Sequence, residues 1–231
     1  MTERMSTGIE SLDEVLEGGI PVNSTVIILG DKGTGKNALL KKIMYEGISN
    51  GKDSLYVTLD DAPNEVTADS DYYGVDFSEY ESNLYYVDGY SWQAGGSDSR
   101  YSLEGLSDMN QMNMTLTDAM NQLKGEEQRV ALDSASTLLL YTDPTSTVKF
   151  LQVMSAKSTS NSGCLFITLE ESTHDDQTKS TVKHIADGVL RLKIEGEDKK
   201  LKIERMDKTD HARQWMDIDI DKENGEVTVE S

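Results

Sequence analysis

The segment GDKGTGKN at residues 30–37 constrains this chain more than any other. It follows TVIIL at residues 25–29, an unbroken apolar run that predicts a strand covered on both faces. It precedes residues 37–48, where apolar side chains recur at helical spacing. Glycines between a strand and a helix let backbone amides converge on an anion, and the helix N-terminus adds positive potential. The pattern therefore predicts a phosphate-binding loop whose lysine, Lys36, reaches the terminal phosphates.

We expect the whole loop to bind a nucleotide, through residues Gly30, Asp31, Lys32, Gly33, Thr34, Gly35, Lys36 and Asn37. The motif normally ends in Ser or Thr, whose hydroxyl ligates Mg²⁺. An asparagine amide oxygen also ligates hard cations, but the longer side chain moves the ion. The substitution therefore favours nucleotide binding over hydrolysis.

A second acidic element is RVALD at residues 129–133, which ends in Asp133. An acidic residue at the carboxyl end of a strand beside a phosphate loop commonly orients magnesium or its water, although such residues also cap turns. We therefore expect Asn37 and Asp133 to hold Mg²⁺.

Alternation of strands and helices sets the fold class. Apolar runs predict strands at 25–29, 54–59, 84–88, 129–133, 165–169 and 189–194, and helical periodicity predicts helices at 8–17, 37–48, 109–123, 144–156 and 179–186. Residues 89–107 have no period and predict a mobile loop, whereas residues 197–231 alternate apolar with polar side chains and predict hairpin strands. The expected fold is α/β: a single domain over 1–231 with a mostly parallel central sheet, flanking helices and a C-terminal antiparallel extension.

Charge and composition restrict the partners. With 22 basic and 42 acidic residues the net charge is −20, which repels nucleic-acid backbones and anionic lipid surfaces. Such an acidic surface is typical of proteins from salt-accumulating cells, and it also suits a partner-binding role. The single cysteine, Cys164, and the lack of a long apolar run predict a cytoplasmic protein without membrane spans.

The order of five segments resembles the single-domain KaiC-like branch of the RecA superfamily, which is common in archaea. These segments are STGIESLDEVLEGGIP, the phosphate loop, YEGISNGKDSLYVTLDD, RVALDS and LKIERMDKTDH. The resemblance implies a RecA-like P-loop fold, ATP and Mg²⁺ as ligands, and a homo-oligomer with ATP at the subunit interfaces. Together with the acidic composition, it indicates a halophilic archaeon as the source.

Catalytic positions depart from this family. Proteins of the family usually carry a glutamate pair after the second strand, where this chain has Asp60 and Asp61, so these are the candidate catalytic residues. The late Lys-x-Arg pair that reaches a neighbour's ATP corresponds to Arg205 and Asp207, so only one of the two cations remains. Glu170 and Glu171 could replace the missing glutamates, although the strand order puts them at a sensor-like position.

Three functions follow from these residues. We expect an ATP-binding regulatory or signalling protein with slow or absent hydrolysis, in which the nucleotide controls assembly or an unknown protein partner. The alternative is a recombination or DNA-repair accessory protein, but the loop at 170–181 that would face DNA is acidic, so DNA binding is not expected. The altered catalytic positions argue against an active motor and leave at most a weak ATPase.

Overall fold

The computed structural model describes residues 2–160, 162–221 and 225–230. The strands are β1 (Arg4–Met5), β2 (Ile20–Pro21), β3 (Thr25–Leu29), β4 (Ser54–Thr58), β5 (Leu84–Asp88), β6 (Arg129–Asp133), β7 (Cys164–Leu169), β8 (Gly188–Glu195), β9 (Asp198–Met206), β10 (Met216–Ile220) and β11 (Val227–Glu230). The α-helices are α1 (Glu10–Val15), α2 (Lys36–Ser49), α3 (Pro63–Asp71), α4 (Met109–Met120), α5 (Ala135–Tyr141), α6 (Pro144–Ser158) and α7 (Asp176–Lys183). Two short 3₁₀ helices span Phe77–Tyr80 and Ser91–Ala94.

A nine-stranded sheet runs in the order β11-β10-β9-β8-β3-β7-β6-β4-β5. The six strands from β8 to β5 in this order are parallel, and β9, β10 and β11 extend the sheet as antiparallel strands. The predicted α/β fold with a C-terminal antiparallel extension is confirmed. In the parallel part, successive side chains point to opposite faces, and helices cover both of them.

Each face of the sheet has its own apolar core. Val26 and Ile28 of β3 pack on the face covered by α1, α2 and α3, where the apolar side chains of β9 to β11 join the same cluster. Ile27 and Leu29 pack on the opposite face, against α4, α5, α6 and α7. Burial on both sides explains why β3 reads as an unbroken apolar run instead of an alternating one.

Several predicted boundaries are corrected. The first helix covers residues 10–15 instead of 8–17, and the last covers residues 176–183 instead of 179–186, because Asp175 caps its N-terminus by accepting a hydrogen bond from the Thr178 amide. The sequence prediction missed α3 and α5, which are short, and the small two-stranded sheet of β1 and β2. Within 197–231, residues 222–224 and 231 lie outside the described residues.

The segment 89–107, for which the sequence predicts a mobile loop, is anchored to the sheet at several points. The carboxylate of Asp88 accepts hydrogen bonds from the amides of Tyr90 and Ser91 and from the Ser97 hydroxyl. Leu103 and Leu106 are buried in the core on the α4 face. The sequence did not predict these anchors, because two isolated leucines among polar residues form no helical or strand periodicity.

In the described part of the chain, no helix is both long enough and apolar enough to cross a lipid bilayer.

Candidate functional site

The phosphate loop lies where β3 ends between β7 and β8. Gly30 follows β3, and α2 begins at Lys36. Gly33 and Gly35 have φ angles of 89° and 98°, a left-handed conformation that glycine adopts without steric cost. These two positions turn the chain from the strand into the helix.

The loop offers a set of free donors. Within the described residues, the amides of Gly33, Gly35, Lys36 and Asn37 have no hydrogen-bond acceptor. The first amides of a helix lack intrahelical partners, so these groups are available to an anion.

Other loop residues form its internal structure. The amide of Gly30 donates to Leu169 O over 3.1 Å, and both the amide and the hydroxyl of Thr34 donate to Asp31 O. The carboxylate of Asp31 accepts a hydrogen bond from the Ser172 amide at 2.7 Å. Burial opposes ionisation of Asp31, but the hydrogen bonds from Ser172 and Glu171, together with the charge of Lys36, lower the pKa of this carboxyl. Lys32 is exposed at the mouth of the site.

Asp133 lies beside the loop as predicted, and it is held from three sides. Its Oδ1 accepts from Thr168 Oγ1 at 2.6 Å, and its Oδ2 accepts from the Tyr56 hydroxyl at 2.8 Å and from Asn37 Nδ2 at 3.4 Å. Burial together with the Asp133 charge raises the pKa of Tyr56 well above its usual value, so the phenol stays a donor. Sequence reasoning missed Tyr56 and Thr168, although polar side chains inside fully buried strands were a signal for them.

The residues present fit a magnesium ion that is bound together with phosphates. Asn37 Oδ1 is buried and has no partner among the described residues. It lies beside the free amides and is an oxygen ligand of the type that Mg²⁺ prefers. The described residues contain no group of three or more His, Cys, Asp or Glu side chains that could hold a metal. An ion here would therefore take most of its ligands from phosphate and water, as Mg²⁺ commonly does.

Asp60 and Asp61, the candidate catalytic residues, differ in their surroundings. Asp60 accepts hydrogen bonds from Ser134 Oγ at 3.1 Å and from Thr137 Oγ1, so α5 fixes its carboxylate. The carboxylate of Asp61 has no hydrogen-bond donor among the described residues. Desolvation, reinforced by the charge of Asp133, raises the pKa of both carboxyls. Asp61 is the one that is free to act on a ligand.

Lys36 is paired with an acid. Its Nζ lies 3.0 Å from Glu170 Oε1, and the lysine side chain is only 8% exposed. The strand order explains this contact, because β7 lies next to β3 and Leu169 pairs with Leu29, so the residues that follow each strand meet.

A cleft of 530 Å³ joins these residues. One wall carries Asp60 and Asp61, the floor is the phosphate loop, and Tyr73, Lys199 and Ile220 line the outer part. Within α2, the buried Lys41 forms an ion pair with Asp69 of α3, which ties the two helices together beside the cleft. No sequence pattern predicted these outer residues, which come from three separate segments.

A depression of similar volume, 560 Å³, lies beside α1. Its lining includes the carboxylates of Glu10, Glu14 and Glu17 and no basic residue. Such a site repels phosphates, so the cleft at the loop is the candidate nucleotide site.

Arg205 does not approach the phosphate loop of its own chain. It pairs with Val189, which in turn pairs with Ile27, so Arg205 lies about 10 Å along the sheet from the loop. Its guanidinium donates to Lys183 O at 2.8 Å and to Ala186 O, at the end of α7. A role in nucleotide binding would therefore have to be played toward another subunit.

Comparisons with known proteins agree with this arrangement. A family model described as "ATPase: KaiC" matches residues 5–231. A UPF0273 protein of Methanopyrus kandleri is 30% identical over 84% of this chain and 77% of its own length. A UPF0273 protein of Thermotoga maritima is 29% identical over 87% of this chain and 84% of its own. The crystal structure of a KaiC-like protein from Pyrococcus horikoshii shares the fold, with a TM-score of 0.78, 19% identity and full coverage of both chains.

Proposed function

Because the chain belongs to the KaiC family of ATPases, which are RecA-like nucleotide-binding proteins, we propose that it is a regulatory or signalling protein controlled by ATP. It binds ATP with Mg²⁺ and hydrolyses it slowly or not at all. The bound nucleotide controls assembly of the chain or its contact with a protein partner.

One observation carries the nucleotide site. Within the described part of the chain, the amides of Gly33, Gly35, Lys36 and Asn37 have no partner, and these four residues line one cleft. Backbone amides and a single lysine hold phosphates without a basic surface, which suits a chain with a net charge of −20. Mg²⁺, when bound, neutralises phosphate charge, with Asn37 Oδ1 as its protein ligand and Asp133 holding the Asn37 amide in place.

The carboxylates support slow hydrolysis. Asp60 is engaged with Ser134 and Thr137, which leaves Asp61 as the free carboxylate that could orient water. An aspartate is one carbon shorter than the family's glutamate, and misplacement by about 1 Å can cost about a hundredfold in rate. ATP therefore serves this chain mainly as a bound signal.

The position of Arg205 supports control of assembly. In the family arrangement ATP lies between subunits, and Arg205 lies at the opposite end of the sheet from its own phosphate loop. We infer that it contacts the nucleotide of a neighbouring copy, whereas Asp207 adds a repulsive charge nearby. An interface with one cation and one anion is weak, and a bound nucleotide can shift its equilibrium.

Calorimetry with ATP, Mg²⁺ and molar KCl tests the proposal. The unmodified chain should bind ATP, and Lys36→Ala should abolish binding. Lys52→Ala is the matched control, because it removes the same charge from a surface lysine that pairs with Glu127. Equal affinity of the unmodified chain and Lys36→Ala would refute the site.

A further inference from the structure

Glu170 is the acid with the most direct access to the phosphate-binding lysine. Its Oε1 lies 3.0 Å from Lys36 Nζ, and its Oε2 accepts a hydrogen bond from Thr173 Oγ1 at 3.2 Å. The backbone amide of Glu170 is also held, because it donates a hydrogen bond to Ser136 Oγ at 2.8 Å. The backbone and the carboxylate of Glu170 are therefore both held in place beside the loop.

The ion pair lies in a partly desolvated place. The Lys36 side chain is 8% exposed and that of Glu170 is 30% exposed. Water screens such a pair less than a surface pair, so the attraction is stronger than between two exposed side chains. Breaking the pair without a replacement partner would leave a buried ammonium, which is costly.

A nucleotide changes the partners of both charges. Its terminal phosphates need the Lys36 ammonium, and they bring negative charge close to the Glu170 carboxylate. The carboxylate must either give up the lysine or remain beside a phosphate that repels it. Both outcomes make the binding of ATP less favourable.

We propose that Glu170 is an internal competitor for Lys36, which occupies the phosphate-binding lysine in the nucleotide-free chain and lowers the affinity of the site for ATP. This inference rests on the proposed function, because it assumes that Lys36 binds phosphate. It gives the chain a threshold: the site fills only when ATP is abundant enough to displace the carboxylate. A threshold of this kind suits a protein in which the nucleotide is a signal.

The neighbouring acid provides a matched control. Glu171 is bonded to Arg191 and makes no contact with Lys36. Glu170→Gln and Glu171→Gln both raise the net charge by one unit at adjacent positions. Only the first removes the competitor, so the pair of variants separates a local effect from the general field of an acidic protein.

The test is titration of each protein with ATP and Mg²⁺ by calorimetry. Glu170→Gln should bind ATP about 3- to 30-fold more tightly than the unmodified chain, from the range of coupling energies of partly exposed to buried ion pairs. Glu171→Gln should bind with unchanged affinity. Glu170→Asp draws the carboxylate back from Lys36 and should give an intermediate gain in affinity. This variant keeps the test available if Glu170→Gln does not fold.

Contrary outcomes are distinct. If the unmodified chain binds ATP and Glu170→Gln binds with equal or lower affinity, the competitor is refuted while the nucleotide site stands. An equal gain in Glu170→Gln and Glu171→Gln also refutes it, because the cause is then net charge. If neither the unmodified chain nor Glu170→Gln binds ATP, the proposed function itself fails.

Discussion

Asn37 and Asp133 meet beside the phosphate loop, where Asn37 Nδ2 donates to Asp133 Oδ2 over 3.4 Å and Asn37 Oδ1 is buried without a partner among the described residues. A serine or threonine at this position would use one hydroxyl both to donate to the aspartate and to ligate the ion. The asparagine divides these tasks between its two amide atoms. The free oxygen is the ligand that we propose for magnesium in place of the usual hydroxyl.

Replacing Asn37 should therefore uncouple ATP binding from magnesium. Asn37→Leu keeps the approximate volume and removes both amide atoms, so the gain in ATP affinity on adding Mg²⁺ should fall on the order of tenfold. Asn37→Ser, which keeps a donor and an acceptor, should retain most of the gain. Calorimetry with Mg²⁺ and with a chelator measures this gain in ATP affinity. An undiminished gain in Asn37→Leu would exclude Asn37 as a magnesium ligand.

Restoring the family's catalytic residues should raise hydrolysis. The triple variant Asn37→Thr, Asp61→Glu and Asp207→Arg places a hydroxyl at the ion, extends the free carboxylate and returns the second interface cation. We expect an increase in phosphate release of about a hundredfold, the scale of correcting a misplaced group by about 1 Å. The same variant with Lys36→Ala is the background control.

The unmodified chain provides the opposite check. Its turnover should lie far below the typical enzyme value of about 10 s⁻¹. A rate near that value would show that Asp60 and Asp61 suffice for efficient catalysis.

Arg205 should determine the response of assembly to ATP. We expect monomers or small oligomers without nucleotide, and a shift to larger ones with ATP and Mg²⁺. Arg205→Ala should abolish the shift, because it removes the cation that we propose contacts a neighbour's phosphates. Light scattering after size exclusion in molar KCl measures the mass, since salt screens the acidic subunits from one another.

Lys208→Ala is the matched control for Arg205, because it removes a nearby charge and should leave the shift intact. Arg205 also bonds the carbonyls at the end of α7, so the melting temperature of Arg205→Ala must be recorded. An ATP-independent mass in the unmodified chain would place the switch within one subunit.

DNA should bind weakly even at low salt. The segment 170–181 contains four acidic residues and one lysine, and that lysine, Lys179, is already bonded to Glu171 O and to the Asp176 carboxylate. No cluster of cations is left in this segment to release counterions from a phosphate backbone. Fluorescence anisotropy with single-stranded and duplex oligonucleotides at about 50 mM salt should detect no micromolar binding. Tight binding would favour the recombination role.

Asp61 should make stability depend on pH. Burial and the Asp133 charge raise the pKa of Asp61, so its ionised form is disfavoured in the folded chain. The free-energy cost of ionising Asp61 in the folded chain is complete at pH values above the raised pKa. This cost disappears as the pH falls through the raised pKa toward the ordinary value of about 3.9. Asp61→Asn should therefore melt about 1–2 °C higher at pH 7 and equally near pH 4, a small effect because the carboxylate is partly solvated.

Asp118→Asn on the exposed side of α4 makes the same change of charge. Thermal unfolding of both variants across this pH range distinguishes a local effect from net charge. A stabilisation that is equal in both variants would assign it to the field of the whole protein.

The sequence alone determined the class of fold and the central element of the site. The apolar runs at residues 25–29 and 129–133, the glycines of the loop and Lys36 are local features, and their meaning depends on neighbours a few residues away. The structure confirms the parallel sheet and the antiparallel extension. It also shows Asp133 within hydrogen-bond distance of Asn37 in the loop.

Tertiary structure decided which distant side chains complete the site. Glu170 meets Lys36 because β7 lies beside β3. Tyr56 and Thr168 bond to Asp133 because β4 and β7 flank β6. Arg205 lies away from the phosphate loop because β9 runs antiparallel to β8. Each of these contacts joins segments tens to more than a hundred residues apart. Local periodicity carries no information about strand order, which is fixed only when all the helices and strands bury their apolar faces together.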